Sequence, residues 1–170
     1  ATGPYTSMAY LTERVALRFT LTDGFGGVTV LTNDLTLVQA LNPPQITGIP
    51  VQTVNKTSSD PAFLVYPTAF VQDANQGGLQ PVRAILTQSD SSLGTFSATS
   101  FPFMTPAQLS TSLQGLTYTP IPGARPVGTI AESILNVKAT DSSGLSVSNT
   151  SVKVRITSVN SAPRILNVPS

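Results

Sequence analysis

Apolar side chains recur at every second position in Val15, Leu17, Phe19 and Leu21, and again in Val152, Val154 and Ile156. That is the period of a pleated strand with one face turned inward, which leaves Arg18, Thr20, Lys153 and Arg155 facing water. Further strands are predicted at 63–71 (Phe63, Val65 and Tyr66, interrupted by Pro67), 82–88 around Val82, Ile85 and Leu86, 94–99 around Phe96, and 116–119. Turn-rich stretches separate them at Asp23–Gly27, Asp73–Gly78, Ser89–Gly94 and Asp141–Gly144. One short helix is predicted, with Thr105 as N-cap, Pro106 in the first helical position, Leu109 and Leu113 on one face and Gly115 at the stop. With 14 prolines and 12 glycines no longer helix is expected, so the pattern describes an all-β chain.

The pattern also repeats. Residues 22–50 (TDGFGGVTVLTNDLTLVQALNPPQITGIP) match residues 140–169 (TDSSGLSVSNTSVKVRITSVNSAPRILNVP). Asp23 and Asp141 lie 118 apart, as do Asn42 and Asn160, while Pro44 and Pro163, and Pro50 and Pro169, lie 119 apart. Solenoid units take roughly 20–50 residues, so a period this long corresponds to a whole β-sandwich. The expected organisation is therefore 1–42 as the C-terminal strands of a preceding repeat, 43–160 as one complete sandwich, and 161–170 as the first strand of a following repeat or an exchange strand. Asn42, Pro43, Pro44, Asn160 and Pro163 are the expected junction residues, with proline restricting the bend. Residues 1–42 hold too few strands to close a sandwich, so Leu17, Phe19, Leu35 and Leu37 need an outside cover. Two covers are expected: an upstream continuation of the polypeptide, with any export signal outside this segment, or neighbouring copies adding strands to open edges.

The order of motifs carries a resemblance. QLSTSLQGLTYTP (108–120) is followed by an alternating strand, the turn Thr140-Asp141-Ser142-Ser143-Gly144, a second alternating strand and Val159-Asn160-Ser161-Ala162-Pro163. With the earlier turn Asp73-Ala74-Asn75, this resembles the cadherin-like and immunoglobulin-like tandem repeats of large bacterial surface proteins. The resemblance implies an all-β, immunoglobulin- or cadherin-like sandwich, exported as part of an elongated adhesin, stalk or filament and often stiffened by calcium between domains. The sequence departs from that pattern at the linkers, where Asn42-Pro43-Pro44 and Asn160-Ser161-Ala162-Pro163 lack the usual Asp after the Asn.

Composition sharpens the picture. Apolar residues make up 40% and aromatics only 6%, so a core is expected to rest on Val, Leu, Ile and Phe. Charged residues are 10% against the roughly 25% usual in soluble domains, and the formal net charge is +1. The nine basic residues are scattered, which speaks against nucleic acid as a partner, and no apolar run of about 18 residues suggests membrane insertion. Without cysteine there is neither a disulfide scaffold nor a thiolate metal site. Without histidine as well, the usual general base and nucleophile are missing, and no enzymatic activity is expected.

Candidate chemistry is confined to turns and sequons. Calcium needs six to eight oxygens, and Asp73, Asn75 and Asp141 are the candidate ligands of one site. The competing reading is that Asp73 and Asp141 fold back on their own backbones, as Asp does in turns. Apart from that ion no cofactor is expected. Asn55-Lys56-Thr57 and Asn149-Thr150-Ser151 are glycosylation sequons, a motif that also arises by chance in Ser/Thr-rich chains. The expected role is an extracellular, structural or adhesive segment whose partners are neighbouring repeats or copies of itself. The alternative is a β-sandwich module binding a glycan or a cell-surface receptor, against which the absence of Trp counts.

Overall fold

Strict alternation at the start of the chain produces a long antiparallel ribbon. In the computed structural model, which describes residues 10–160, β1 (Tyr10–Thr22) and β2 (Val28–Ala40) pair along their whole length, from Thr22 opposite Val28 to Tyr10 opposite Ala40. Directly opposed residues share a face of the ribbon. One face therefore carries Val15, Leu17, Phe19 and Leu21 from β1 with Leu31, Leu35 and Leu37 from β2. The chain divides after Asn42, and the ribbon forms the first of two units.

The second unit, beginning at Pro43, is a β-sandwich. Its strands are β3 (Gln45–Thr47), β4 (Gln52–Thr57), β5 (Phe63–Leu64), β6 (Phe70–Gln72), β7 (Val82–Gln88), β8 (Gly94–Phe96), β9 (Ser100–Met104), β10 (Thr117–Pro120), β11 (Ile130–Asp141) and β12 (Ser146–Thr157), with helix α1 (Pro106–Gln114) between β9 and β10. The large sheet runs β4-β12-β11-β7-β9; smaller sheets are β5-β10-β8 and β3-β6. Alternation turns Val82, Ala84 and Leu86 of β7, Leu135, Val137 and Ala139 of β11, and Val152, Val154 and Ile156 of β12 into one core. The other layer meets them with Val65, Tyr66, Val71, Leu93, Leu109, Leu113, Leu116 and Tyr118. Each Val, Leu or Ile side chain among them contributes about 1.5–3 kcal/mol by leaving water.

Most strand expectations hold in position and change in extent. The strand 82–88 has the predicted bounds, 94–99 shortens to 94–96, and 63–71 becomes two short strands on either side of Pro67. Three strands carried no recognisable alternation. β4 is polar except for the inward Val54, as an exposed sheet edge requires, and β9 holds Pro102 on the opposite edge, where a missing N–H is tolerated. The third, β3, is three residues long.

Helix α1 starts at Thr105 as the sequence predicts and closes a capping box: Gln108 N–H donates to Thr105 Oγ1 (3.3 Å), while Thr105 N–H donates to Gln108 Oε1 (3.1 Å). Its inner face is tied to β6, since Val71 N–H donates to the buried Ser110 Oγ (2.8 Å) and Gln114 Nε2 to the Ala69 carbonyl (2.9 Å).

The β1–β2 and β11–β12 hairpins turn in the same way. In each, the Asp donates its backbone N–H to the carbonyl of the residue four positions on, Asp23 to Gly27 O (2.9 Å) and Asp141 to Leu145 O (2.9 Å). Asp23 Oδ1 accepts the N–H groups of Phe25 (2.9 Å) and Gly27 (2.7 Å); Asp141 Oδ1 accepts those of Ser143 (2.9 Å) and Leu145 (2.9 Å). Gly26 and Gly144 occupy the same left-handed position, with φ of 86° and 92°. From the turn outward, the first four opposed pairs of each hairpin differ by the 118-residue period, ending at Phe19 opposite Leu31 and Val137 opposite Asn149. There β12 bulges by one residue, so Val15 faces Leu35 while its counterpart Ser133 faces Val154. The change of spacing from 118 to 119, which the sequence match puts between Asn160 and Pro163, falls by strand register inside β12.

Tyr118 marks a tightly packed point of the sandwich. Its ring meets Phe63 at 5.8 Å and Phe96 at 5.5 Å between centroids, and it lies over Gly94, where a Cβ would fall 2.3 Å from the ring. We predict that Gly94→Ala lowers the unfolding free energy by about 1–3 kcal/mol through overpacking, read from urea denaturation midpoints. An unchanged midpoint would show that the ring can retreat at no cost.

Candidate metal centre

Most acidic side chains are accounted for at the surface. Asp90 pairs with Arg125 (2.7 Å), Glu132 with Lys153 (3.5 Å) and Arg155 (3.4 Å), and Asp60 accepts the hydroxyl of Thr57 (2.7 Å). Hydrogen bonds hold two of them below the usual carboxylate range: those from Thr57 at Asp60, and at Asp90 those from Ser92 and then Arg125.

Asp73 and Asp141 differ in being buried, 3% and 1% exposed, and in having no ion-pair partner among the described residues. Strand order brings them together. Asp73 follows β6, and the segment Asp73–Pro81 leads into β7, whose Val82 is the register partner of Asp141 at the end of β11. The segment turns sharply at Gln76, Gly77 and Gly78, all in the left-handed region (φ 51°, 64° and 86°). It is fastened to the β11–β12 turn by Ser142 N–H donating to the Pro81 carbonyl (3.0 Å) and by Gln80 Nε2 donating to Ser143 Oγ (3.2 Å). Ser143 Oγ in turn donates to Asp141 Oδ1 (2.7 Å).

Both readings of the sequence are present in the geometry, one on each oxygen of each carboxylate. Asp73 Oδ1 accepts the Asn75 N–H (2.8 Å), and Asp141 Oδ1 serves its own turn. The second oxygens, Asp73 Oδ2 and Asp141 Oδ2, are buried without a hydrogen-bond partner among the described residues, and so is Gln80 Oε1. Burial pushes the Asp73 carboxyl above the usual range; the Asp141 charge adds to the rise, against hydrogen bonding from the Asn75 backbone and side chain.

Buried carbonyl and carboxylate oxygens almost always find a partner, so three orphans around one turn need an account. An oxygen-preferring cation would supply one, since it would be held by acceptors alone and would cancel the repulsion between the carboxylates. Asn75, expected as a ligand, is buried beside Asp73 and donates its backbone N–H to it. Gln80, which the sequence reading did not single out, supplies the third oxygen. Among the described residues no three carboxylate, imidazole or thiol side chains gather, so an amide oxygen is a necessary part of such a site. Backbone carbonyls and water would complete the six to eight positions that calcium takes.

The remaining expected residues lie elsewhere. Asn42, Pro43 and Asn160 are exposed and Pro44 is buried; Pro163 and the segment 161–170 lie outside the described residues. Asn55 is exposed on β4, whereas Asn149 is half-buried at the bulge, its Oδ1 accepting the Ser151 N–H (3.0 Å). No helix among the described residues is long and apolar enough to cross a membrane. No family model matches the chain, and no curated protein is similar to it.

Asp73→Asn keeps the shape of the site and removes one charge. We predict that in chelator the variant is more stable than the parent by about 1 kcal/mol or more, because repulsion with Asp141 is relieved. Calcium at about a hundredfold excess over its dissociation constant should stabilise the parent by about 3 kcal/mol and leave the variant unmoved. A parent melting curve that is the same in chelator and in excess calcium overturns the metal assignment.

Proposed function

We propose that this chain is a segment of an extracellular structural or adhesive protein, in which immunoglobulin- or cadherin-like sandwiches joined end to end form a stalk, surface fibre or filament and perform no catalysis. One observation carries the reading: the first and last strands of the large sheet, β4 and β12, lie side by side and parallel, paired from Gln52 and Val152 to Thr57 and Thr157. The ladder continues past the strand ends, where Ser58 N–H donates to the Thr157 carbonyl (3.0 Å) and Val159 N–H to Ser58 Oγ (3.1 Å).

Tension on such a module enters before β4 and leaves after β12. Parallel neighbours pulled at opposite ends slide against each other, so the hydrogen bonds between them are loaded together rather than one after another.

Three further features support the reading. The repeated hairpin turn around Asp23 and Asp141 is what two copies of one module present. The first unit is accordingly proposed as the last hairpin of a preceding repeat. The absence of His and Cys is consistent with a role in which nothing reacts. Calcium is proposed at Asp73, Gln80 and Asp141, pinning the 73–81 segment to the last hairpin. A site with so few carboxylates belongs with the weak sites of extracellular modules, where dissociation constants are about 10⁻⁴–10⁻³ M.

The chain has no native cysteine, so thiol handles can be placed at will for single-molecule pulling. With handles at Pro43 and Asn160 the β4–β12 pair is sheared; with handles at Ser59 and Asn160, at the same end of both strands, it is peeled. We predict an unfolding force at least about two-fold higher in shear than in peeling. Equal forces would remove the load-bearing role.

A further inference from the structure

The β1–β2 ribbon presents to solvent the face that its counterpart buries. Leu17, Phe19 and Leu21 are 40%, 51% and 68% exposed, whereas Leu135, Val137 and Ala139, displaced by the 118-residue period, are each 0% exposed. On the second strand Leu35 and Leu37 are 46% and 48% exposed, against 0% and 3% for Val154 and Ile156, which hold the same places beyond the bulge. A ribbon of two strands does not keep such a face in water at equilibrium when a cover is at hand.

The second unit shows what the cover is. There the β11–β12 hairpin gains β7 antiparallel to its first strand, β4 parallel to its second, and an opposing layer that includes Tyr118, Leu113 and Leu116. All of these lie within residues 43–129, the stretch that runs directly into β11.

We propose that the apolar face of β1–β2 is seated in a sandwich half patterned like residues 43–129 and joined ahead of β1, with one strand pairing antiparallel to β1 and another parallel to β2. The seat differs from the known one in volume. Val15, Phe19 and Leu21 stand where β11 has Ser133, Val137 and Ala139, so the opposing layer carries smaller side chains than Tyr118 and its neighbours do. This inference rests on the tandem-repeat reading and adds the occupant, its strand directions and its packing.

The test is a chain in which residues 43–129 are duplicated and joined directly to Thr12, which holds the place of Ile130. Hydrogen exchange at the β1 and β2 amides is compared with that of the 170-residue chain at several concentrations. A companion carrying Val15→Ser, Phe19→Val, Leu21→Ala and Asn33→Val, which gives four positions of the face the side chains of the counterpart, reports whether the duplicated half folds. The expected result is exchange slowed at least about ten-fold in the extended chain and more in the companion.

Protection in the companion alone supports the volume difference, because the natural face then needs an opposing layer smaller than Tyr118 and its neighbours; equal protection in both overturns that difference. Protection in neither overturns the equivalence of the hairpins. Protection already present in the 170-residue chain overturns it too, with a second copy as the cover if the effect rises with concentration. Exchange is blind to load, so equal pulling forces combined with a protected ribbon would sink the mechanical reading and leave this one standing.

Discussion

A carboxylate that accepts two backbone N–H groups across a five-residue turn fixes how each long hairpin in this chain begins. Once Asp141 has closed its turn, the register of β11 against β12 is set, and with it which side chains face inward. A slip by one residue would send Leu135, Val137 and Ala139 to the solvent side. The rest of the sandwich is assembled on that choice: β7 and β4 add at the two flanks, and the second layer closes over the apolar face.

The same residue links architecture to chemistry. One oxygen of Asp141 is spent on the turn and the other is left buried, in the hairpin turn to which Gln80 is hydrogen-bonded and from which β12 sets out. A cation there would tie the segment before β7 to the hairpin after β11, joining stretches far apart in sequence. Metal affinity and stability of the module would then be one quantity measured in two ways.

Legibility in the sequence followed the physics of burial. Strands buried on one face announced themselves by alternation, as in β7, β11 and β12, and α1 announced itself through its cap and its stop. The edge strands β4 and β9 were silent because an edge has only one neighbour and favours polar residues or proline. Asp73 and Asp141 were readable as turn residues of the right chemistry. Gln80 was not, because a glutamine becomes a candidate ligand only when the β7–β11 pairing sets it beside a turn some sixty positions later. The bulge in β12 was equally hidden, since one inserted residue leaves the composition of the match unchanged.

The two outer strands of the large sheet have a consequence for a protein made of many such modules. Neighbours on one tether see each other at effective concentrations of about millimolar, where open sheet edges would zip together sideways. Pro102 removes a donor from one edge, and β4 offers the other with Lys56 and few apolar side chains. An array built this way would crowd its copies without fusing them.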